Sequence, residues 1–115
     1  MPSPTEITLH QQSKLLEIAF DDGARYRFPY EFLRVHSPSA EVRGHGPGQE
    51  VLQIGKKNIT LLDVQPSGSY AIKLTFDDGH DTGLYTWEYL HGLGKHQDTL
   101  WQDYLQKLEQ AGQSR

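Results

Sequence analysis

The tetrapeptide Phe-Asp-Asp-Gly occurs twice, at residues 20–23 and 76–79, each time after a run in which apolar and polar side chains alternate. Alternation with a period of two is typical of a half-buried β-strand, and Asp-Gly supplies the positive φ angles of a tight two-residue hairpin turn. The two copies therefore predict two hairpins that bracket the middle of the chain. A match of four residues does not indicate a duplication, because Asp-Gly turns recur for steric reasons.

The first 28 residues predict a three-stranded meander, in which a polar turn joins the first two strands and Asp22-Gly23 joins the second to the third. Two further strands follow in the second half, separated by a Pro-Ser-Gly turn at 66–68. The predicted strands are 5–9, 14–20, the segment around Tyr26 and Phe28, 58–64 and 70–76.

Helical signals are short except near the end of the chain. Pro29 predicts one helical turn over 30–34, and Thr86 predicts a capped helix over 87–91 that Gly92 ends. Apolar residues at helical spacing predict an amphipathic helix that starts at its cap Asp98, runs to about Ala111 and packs on the sheet. Residues 36–50 predict a long loop.

These elements together predict one α+β domain over residues 1–115. The domain is expected to have a mostly antiparallel sheet of five or six short strands. Two or three helices accompany it, and the last is the C-terminal amphipathic helix.

Composition excludes several classes of function. The chain has no cysteine, which excludes disulfides, thiolate nucleophiles and cysteine-based zinc sites. A formal net charge of −4 disfavours nucleic acid as a partner, because phosphate binding relies on clustered Lys and Arg. No signal peptide and no membrane-length apolar run are present, so we expect a cytoplasmic protein that does not bind membranes.

Two segments carry a family resemblance: Leu33-Arg34-Val35-His36-Ser37-Pro38-Ser39-Ala40-Glu41-Val42-Arg43-Gly44-His45-Gly46, and Phe76-Asp77-Asp78-Gly79-His80-Asp81-Thr82-Gly83. They resemble the gamma-butyrobetaine hydroxylase-like N-terminal domain family, in its small stand-alone bacterial form, formerly a domain of unknown function. The resemblance extends over nearly the whole chain. In eukaryotic relatives this module precedes an iron- and 2-oxoglutarate-dependent oxygenase domain and holds zinc through three cysteines and one histidine. The resemblance places those cysteines at Ser37, Ser39 and Val42, and the histidine at His80.

Histidines provide the candidate metal ligands. His36 and His45 share the long loop, and His80 follows the second hairpin turn. Imidazole suits zinc or iron, and Glu41, Asp78 or Asp81 would complete a mixed nitrogen and oxygen site. The other interpretation is that these histidines are hydrogen-bonding residues of the surface and loops, since their spacing matches no tight ligand motif. If the metal interpretation holds, the cofactor is a zinc or iron ion; the sequence suggests no other cofactor.

The sequence contains no catalytic constellation, so we expect a protein that is not an enzyme. Ser37 and Ser39 lie in a predicted loop and are not part of a nucleophile elbow. His96-Gln97-Asp98 matches half of an iron-binding facial triad, but no histidine follows it to complete the triad. The paired aspartates occupy hairpin turns, where aspartate commonly bonds to nearby backbone amides.

The leading hypothesis is a non-enzymatic accessory module that binds a protein partner. Arginine and large aromatic residues are enriched where proteins bind one another, and the candidates here are Arg34, Arg43, His45, Trp87 and Tyr89. The other interpretation places Trp87 and Tyr89 in the core and pairs Arg34 with Glu31 or Glu41.

The resemblance implies a partner related to iron–sulfur proteins or oxygenases, because similar domains are fused to oxygenases and to nucleotide-binding iron–sulfur carriers. The alternative hypothesis is a domain that binds zinc or iron through His80 and the loop histidines. Homodimerisation through an exposed edge strand stays open.

Overall fold

The structure is a computed structural model, and it describes residues 2–44, 48 and 50–115. Within these residues the chain forms six β-strands and four α-helices. In chain order they are β1 (Pro4–His10), β2 (Leu15–Phe20), β3 (Arg25–Pro29), α1 (Tyr30–Val35), α2 (Ala40–Arg43), β4 (Leu61–Ser67), β5 (Ala71–Phe76), β6 (Leu84–Thr86), α3 (Trp87–Lys95) and α4 (Gln97–Gln110). The predicted α+β class is confirmed, and the strands form two three-stranded antiparallel sheets.

The first sheet is the predicted meander, with strand order β1-β2-β3. Leu16, Ile18 and Phe20 alternate along β2 and are almost fully buried, so their face of the sheet forms one wall of the core. Full burial of side chains of this size contributes roughly 1.5–3 kcal/mol each. This periodic apolar face sets the register of the sheet, since a one-residue slip would turn all three outward.

The two Phe-Asp-Asp-Gly turns have the same geometry. In each, the glycine amide donates to the carbonyl of the phenylalanine three residues earlier, at 3.1 Å for Gly23 and 3.2 Å for Gly79. The phenylalanine amide donates to the carbonyl four residues later, that of Ala24 or His80. Each loop thus has three residues, and only its glycine has a positive φ, 87° in both cases. The predicted two-residue turn was wrong: a type I turn is followed here by a left-handed glycine.

The second sheet has strand order β4-β5-β6. Its first strand begins and ends three residues later than the predicted strand 58–64, and it passes through Pro66, which was predicted to be in the turn. Pro66 lies opposite Ile72 on an edge strand. An edge position tolerates proline because only one side of the strand needs ladder hydrogen bonds. The turn itself is carried by Gly68, whose φ is 58°.

The third helix, α3, starts as predicted but continues beyond its predicted end. The Thr86 side chain accepts a hydrogen bond from the Tyr89 amide at 3.1 Å, which confirms it as the cap. The prediction that Gly92 ends the helix was wrong, since the helix runs to Lys95. A Cβ added to Gly94 would lie 2.3 Å from Cγ of Tyr26. Glycine has a low helix propensity, and the close packing of α3 against β3 explains why position 94 is nevertheless a glycine.

The last helix, α4, was predicted with Asp98 as its cap and the sheet as its support. The cap prediction was wrong: the helix begins at Gln97, its cap position is His96, and no side chain caps it. Asp98 lies in the first turn, where its negative charge suits the helix dipole. Tyr104 and Leu108 form a second small cluster with Val35 of α1. The helix thus packs on α1 and α3 rather than on a sheet.

The predicted loop at 36–50 contains a short helix that the sequence did not indicate. Ser39 caps α2 by accepting a hydrogen bond from the Glu41 amide at 3.2 Å, and Val42 is buried.

No helix in the described part of the chain is long and apolar enough to cross a membrane.

Candidate functional site

A cluster of hydrogen-bonded polar side chains joins the α1–α2 region to the turn after β5. Its inner members, Arg34, Ser37, Ser39 and His80, are buried, whereas Glu41 and Thr82 lie at its exposed edge. Buried polar groups are stable inside a protein only when they are hydrogen-bonded to one another. We call this set the His80 cluster, and it consists of Arg34, Ser37, Ser39, Glu41, Asp78, His80 and Thr82.

Both ring nitrogens of His80 are engaged. Nδ1 lies 3.0 Å from Oε2 of Glu41, and Nε2 lies 2.8 Å from Oγ of Ser37. An ionised carboxylate only accepts hydrogen bonds, so Nδ1 carries the proton and Nε2 accepts from the Ser37 hydroxyl. Burial, followed by the neighbouring Arg34 guanidinium, lowers the pKa of His80 and favours this neutral form.

The Glu41–His80–Ser37 chain has the connectivity of an acyl-transfer triad but cannot act as one. Ser37 has 0% of its surface exposed, so no substrate reaches its hydroxyl. Oγ of Ser37 also accepts a hydrogen bond from the Ser39 amide at 3.2 Å. These contacts hold the α1–α2 connection against the turn that carries His80.

Asp78 connects the cluster to two cations. Its Oδ2 accepts from Lys56 Nζ at 2.7 Å and from Arg34 Nε at 2.9 Å, and its Oδ1 accepts from the His80 amide at 3.1 Å. Burial alone would raise the pKa of Asp78, but these hydrogen bonds outweigh it and lower the pKa to about 2. The predicted pairing of Arg34 with Glu31 or Glu41 was wrong. Within the described residues, Nη1 of Arg34 is buried without a hydrogen-bond partner.

The residues at the family's zinc-ligand positions do not fit a zinc ion. A neutral serine hydroxyl does not replace a thiolate ligand of structural zinc, and the Ser37 hydroxyl is bonded directly to His80. Ser39 instead bonds to Thr82 at 2.6 Å, and Val42 offers no donor. Across residues 2–44, 48 and 50–115, no group of three or more histidine or acidic side chains is placed to hold a metal ion.

His36, the second predicted ligand, lies outside the His80 cluster. It follows the last turn of α1, where Nδ1 donates to the Phe32 carbonyl at 2.9 Å and the ring packs on the Phe32 ring at a centroid distance of 4.4 Å. Burial lowers the pKa of His36, and Lys107 and Arg43 lower it further. The third predicted ligand, His45, lies outside the described residues.

The residues predicted to bind a partner divide into buried and exposed groups. Trp87 is 9% exposed, and its indole nitrogen donates to the Ser69 carbonyl at 2.9 Å, so it belongs to the core. Arg34 is 7% exposed and belongs to the His80 cluster. Arg43 and Tyr89, in contrast, meet near the surface.

Tyr89 holds Arg43 in one orientation. The tyrosine hydroxyl donates to the His36 carbonyl at 2.6 Å and accepts from Arg43 Nη1 at 3.1 Å. The Arg43 guanidinium carbon also lies 5.9 Å from the centroid of the tyrosine ring, within the range of a cation–π contact. These two contacts with Tyr89 orient the guanidinium.

Two adjoining cavities open beside Arg43, one of about 420 Å³ against α4 and one of about 310 Å³ against α3. Their linings share His36, Arg43 and Leu100, and we call the pair the Arg43 groove. Further lining comes from Tyr89, Leu93, Tyr104 and Lys107. Sequence reasoning missed Leu100, Tyr104 and Lys107 as groove residues, although their spacing of four and three residues puts them on one face of α4.

Comparison with known proteins agrees with this fold. The sequence model described as gamma-butyrobetaine hydroxylase-like, N-terminal, matches residues 7–91. The chain belongs to this family. A search of curated proteins found no match.

Solved structures of similar chains extend the agreement beyond the matched residues. Two solution NMR structures match the whole of this chain. The first is 55% identical, with 90% of its own length covered and a TM-score of 0.86. The second is 49% identical, with 86% of its own length covered and a TM-score of 0.85. A crystal structure of a protein of unknown function from Acidithiobacillus ferrooxidans, described as a DUF971 family member, is 37% identical with a TM-score of 0.68. That match covers 80% of this chain and 92% of the other.

Proposed function

We propose that this chain is a non-enzymatic, cytoplasmic module that binds a protein partner through the Arg43 groove. The observation that carries the proposal is the oriented Arg43 guanidinium, held by Tyr89 where the two cavities meet. Binding residues that are fixed in advance lose little entropy when a complex forms. Arginine and tyrosine are also the residue types that contribute most to protein interfaces.

The non-enzymatic part of the proposal is supported by the burial of the inner members of the His80 cluster. The hydroxyl that is hydrogen-bonded to His80, that of Ser37, is sealed from solvent. The positions that family relatives use for zinc carry a hydrogen-bonded pair, Ser37 and His80, in this chain. The cluster therefore serves to fix the fold next to the groove.

The class of partner is proposed from the family. Resemblance to domains fused to oxygenases and to iron–sulfur carriers suggests a component of iron or iron–sulfur metabolism. A partner of this kind would dock its own surface on the groove and keep its metal or cluster.

The test is affinity purification from cells with matched arginine variants, followed by identification of the bound proteins by mass spectrometry. We expect Arg43→Gln to abolish recovery of an iron–sulfur or oxygenase component. Arg27→Gln should not, because the exposed Arg27 side chain lies against Glu17 on the first sheet and lines neither cavity of the groove. Equal recovery in both variants, or recovery of no such component by the unchanged protein, would overturn the proposal.

The alternative, a metal-binding domain built on His80, requires His80 to give up its bonds to Ser37 or Glu41. Elemental analysis of protein purified without chelator separates the two hypotheses. Near one zinc or iron per chain, lost in His80→Ala, would establish the alternative. Equal, trace metal in both proteins favours the binding module.

A further inference from the structure

Apolar side chains form part of the lining of the Arg43 groove. Leu100 lines both cavities, Leu93 lines the smaller one, and Tyr104 lines the larger one. Cavities of about 310 and 420 Å³ are large enough for a leucine- or phenylalanine-sized side chain each. The groove therefore favours an occupant with bulky apolar groups.

The rim of the groove offers donors that carry positive charge. One nitrogen of Arg43 bonds to Tyr89, and no other partner of its guanidinium is found among the described residues. Lys107 of α4 also lines the larger cavity. A planar guanidinium with unused donors is suited to a carboxylate, which it binds through two parallel hydrogen bonds.

The charges that act on His36 and Tyr89, which line the groove, agree with a site for a carboxylate. The charges that act on His36, which lines both cavities, come from Lys107 and Arg43, and each lowers its pKa. Arg43 also acts on Tyr89 and opposes the rise that burial causes in its pKa. The carboxylates that line the groove, Glu50, Glu88 and Asp103, are all exposed and do not act comparably on His36.

We propose that the Arg43 groove recognises a peptide segment of the partner in which a single carboxylate lies between bulky apolar side chains. This inference rests on the proposed function and names the chemistry of the partner. Arg43 binds the carboxylate, and the apolar side chains enter the two cavities. One oriented guanidinium binds one carboxylate, so the segment needs a single acidic residue.

The test is an NMR titration of the full ¹⁵N-labelled chain with two capped heptapeptides. Both carry leucines on either side of the central residue, which is aspartate in one and asparagine in the other. We expect the aspartate peptide to shift amide signals of Arg43, Tyr89, Leu100 and Lys107, and to bind about tenfold more tightly than its twin. The difference should disappear in Arg43→Gln and persist in Arg27→Gln.

Equal affinity for the two peptides, absence of binding by either, or shifts confined to another surface would overturn the inference. These outcomes differ from failure of the proposed function. If Arg43→Gln loses the cellular partner while the two peptides bind alike, the docking surface stands and the carboxylate chemistry is wrong. If Arg43→Gln keeps the partner, the docking surface itself is wrong.

Discussion

Replacing Asp78 by asparagine tests how much the His80 cluster contributes to stability. The change keeps the size of the side chain and the acceptor for the His80 amide but removes the charge that faces Arg34 and Lys56. The pKa of Asp78 falls from 3.8 to about 2, which corresponds to roughly 2 kcal/mol of extra stability of the charged form in the folded state. The Asp78 side chain is only 22% exposed, so solvent screens little of this.

The repeated turn provides a matched control at Asp22. Its Oδ1 accepts from the Ala24 amide at 2.9 Å, as Asp78 Oδ1 accepts from the His80 amide, but its side chain is 48% exposed and faces His91 alone. We expect Asp22→Asn to lower the free energy of unfolding by less than about 1 kcal/mol. Asp78→Asn should lower it by about 2–3 kcal/mol, because Arg34 then stays buried without a counter-ion.

Urea unfolding of the three proteins at neutral pH measures this difference. Because the pKa of Asp78 is lowered in the folded state, its contribution is complete above pH 3.8 and is lost as the pH falls towards 2. The gap between the unchanged protein and Asp78→Asn should therefore narrow in that acidic range. Equal losses for Asp22→Asn and Asp78→Asn, or a gap that does not change with pH, would refute the role given to the buried charges.

Two further predictions concern α3 and the buried histidines. Gly94→Ala should destabilise the protein by more than about 2 kcal/mol, because the added Cβ would meet the Tyr26 ring. The control is Gly92→Ala, whose Cβ meets nothing within 4 Å and which should be neutral or stabilising by up to about 1 kcal/mol. Thermal unfolding measures both changes. The pKa values of His36 and His80 are lower in the folded protein than in the unfolded chain. As the pH drops below 6.5, the unfolded chain binds more protons than the folded protein, so the free energy of unfolding should fall. Urea unfolding at about pH 7.5 and about pH 5.5 checks this, and the free energy of unfolding should fall more steeply in the unchanged protein than in the variants with glutamine at these positions.

The sequence was sufficient for features that depend on local periodicity and turn chemistry. The alternating apolar residues of β2 and the cap at Thr86 are both present in the structure. The errors arose where tertiary contacts override local preference. The third helix continues past Gly92 to a point where Gly94 packs against Tyr26, and Pro66 stays in a strand because that strand is at an edge.

The candidate site was predictable only in part, for a related reason. The resemblance brought Ser37 and His80 together correctly, although they are 43 residues apart in sequence, and they form a hydrogen bond. No pattern in the sequence indicates that Tyr89 holds Arg43, because this contact spans 46 residues and depends on how α3 lies against α2. The groove likewise depends on where α4 packs, and the sequence had led to the prediction that this helix packs on the sheet.

The His80 cluster and the Arg43 groove are linked through α2. This helix has four residues, too few to be stable without tertiary contacts, so its position is set by what its side chains bind. Glu41 bonds to His80 on one side of the helix, and Val42 is packed in the interior. Arg43, the next residue, is thereby placed over Tyr89. The hydrogen bond between Glu41 and His80 can therefore anchor α2, and with it the proposed partner-binding arginine.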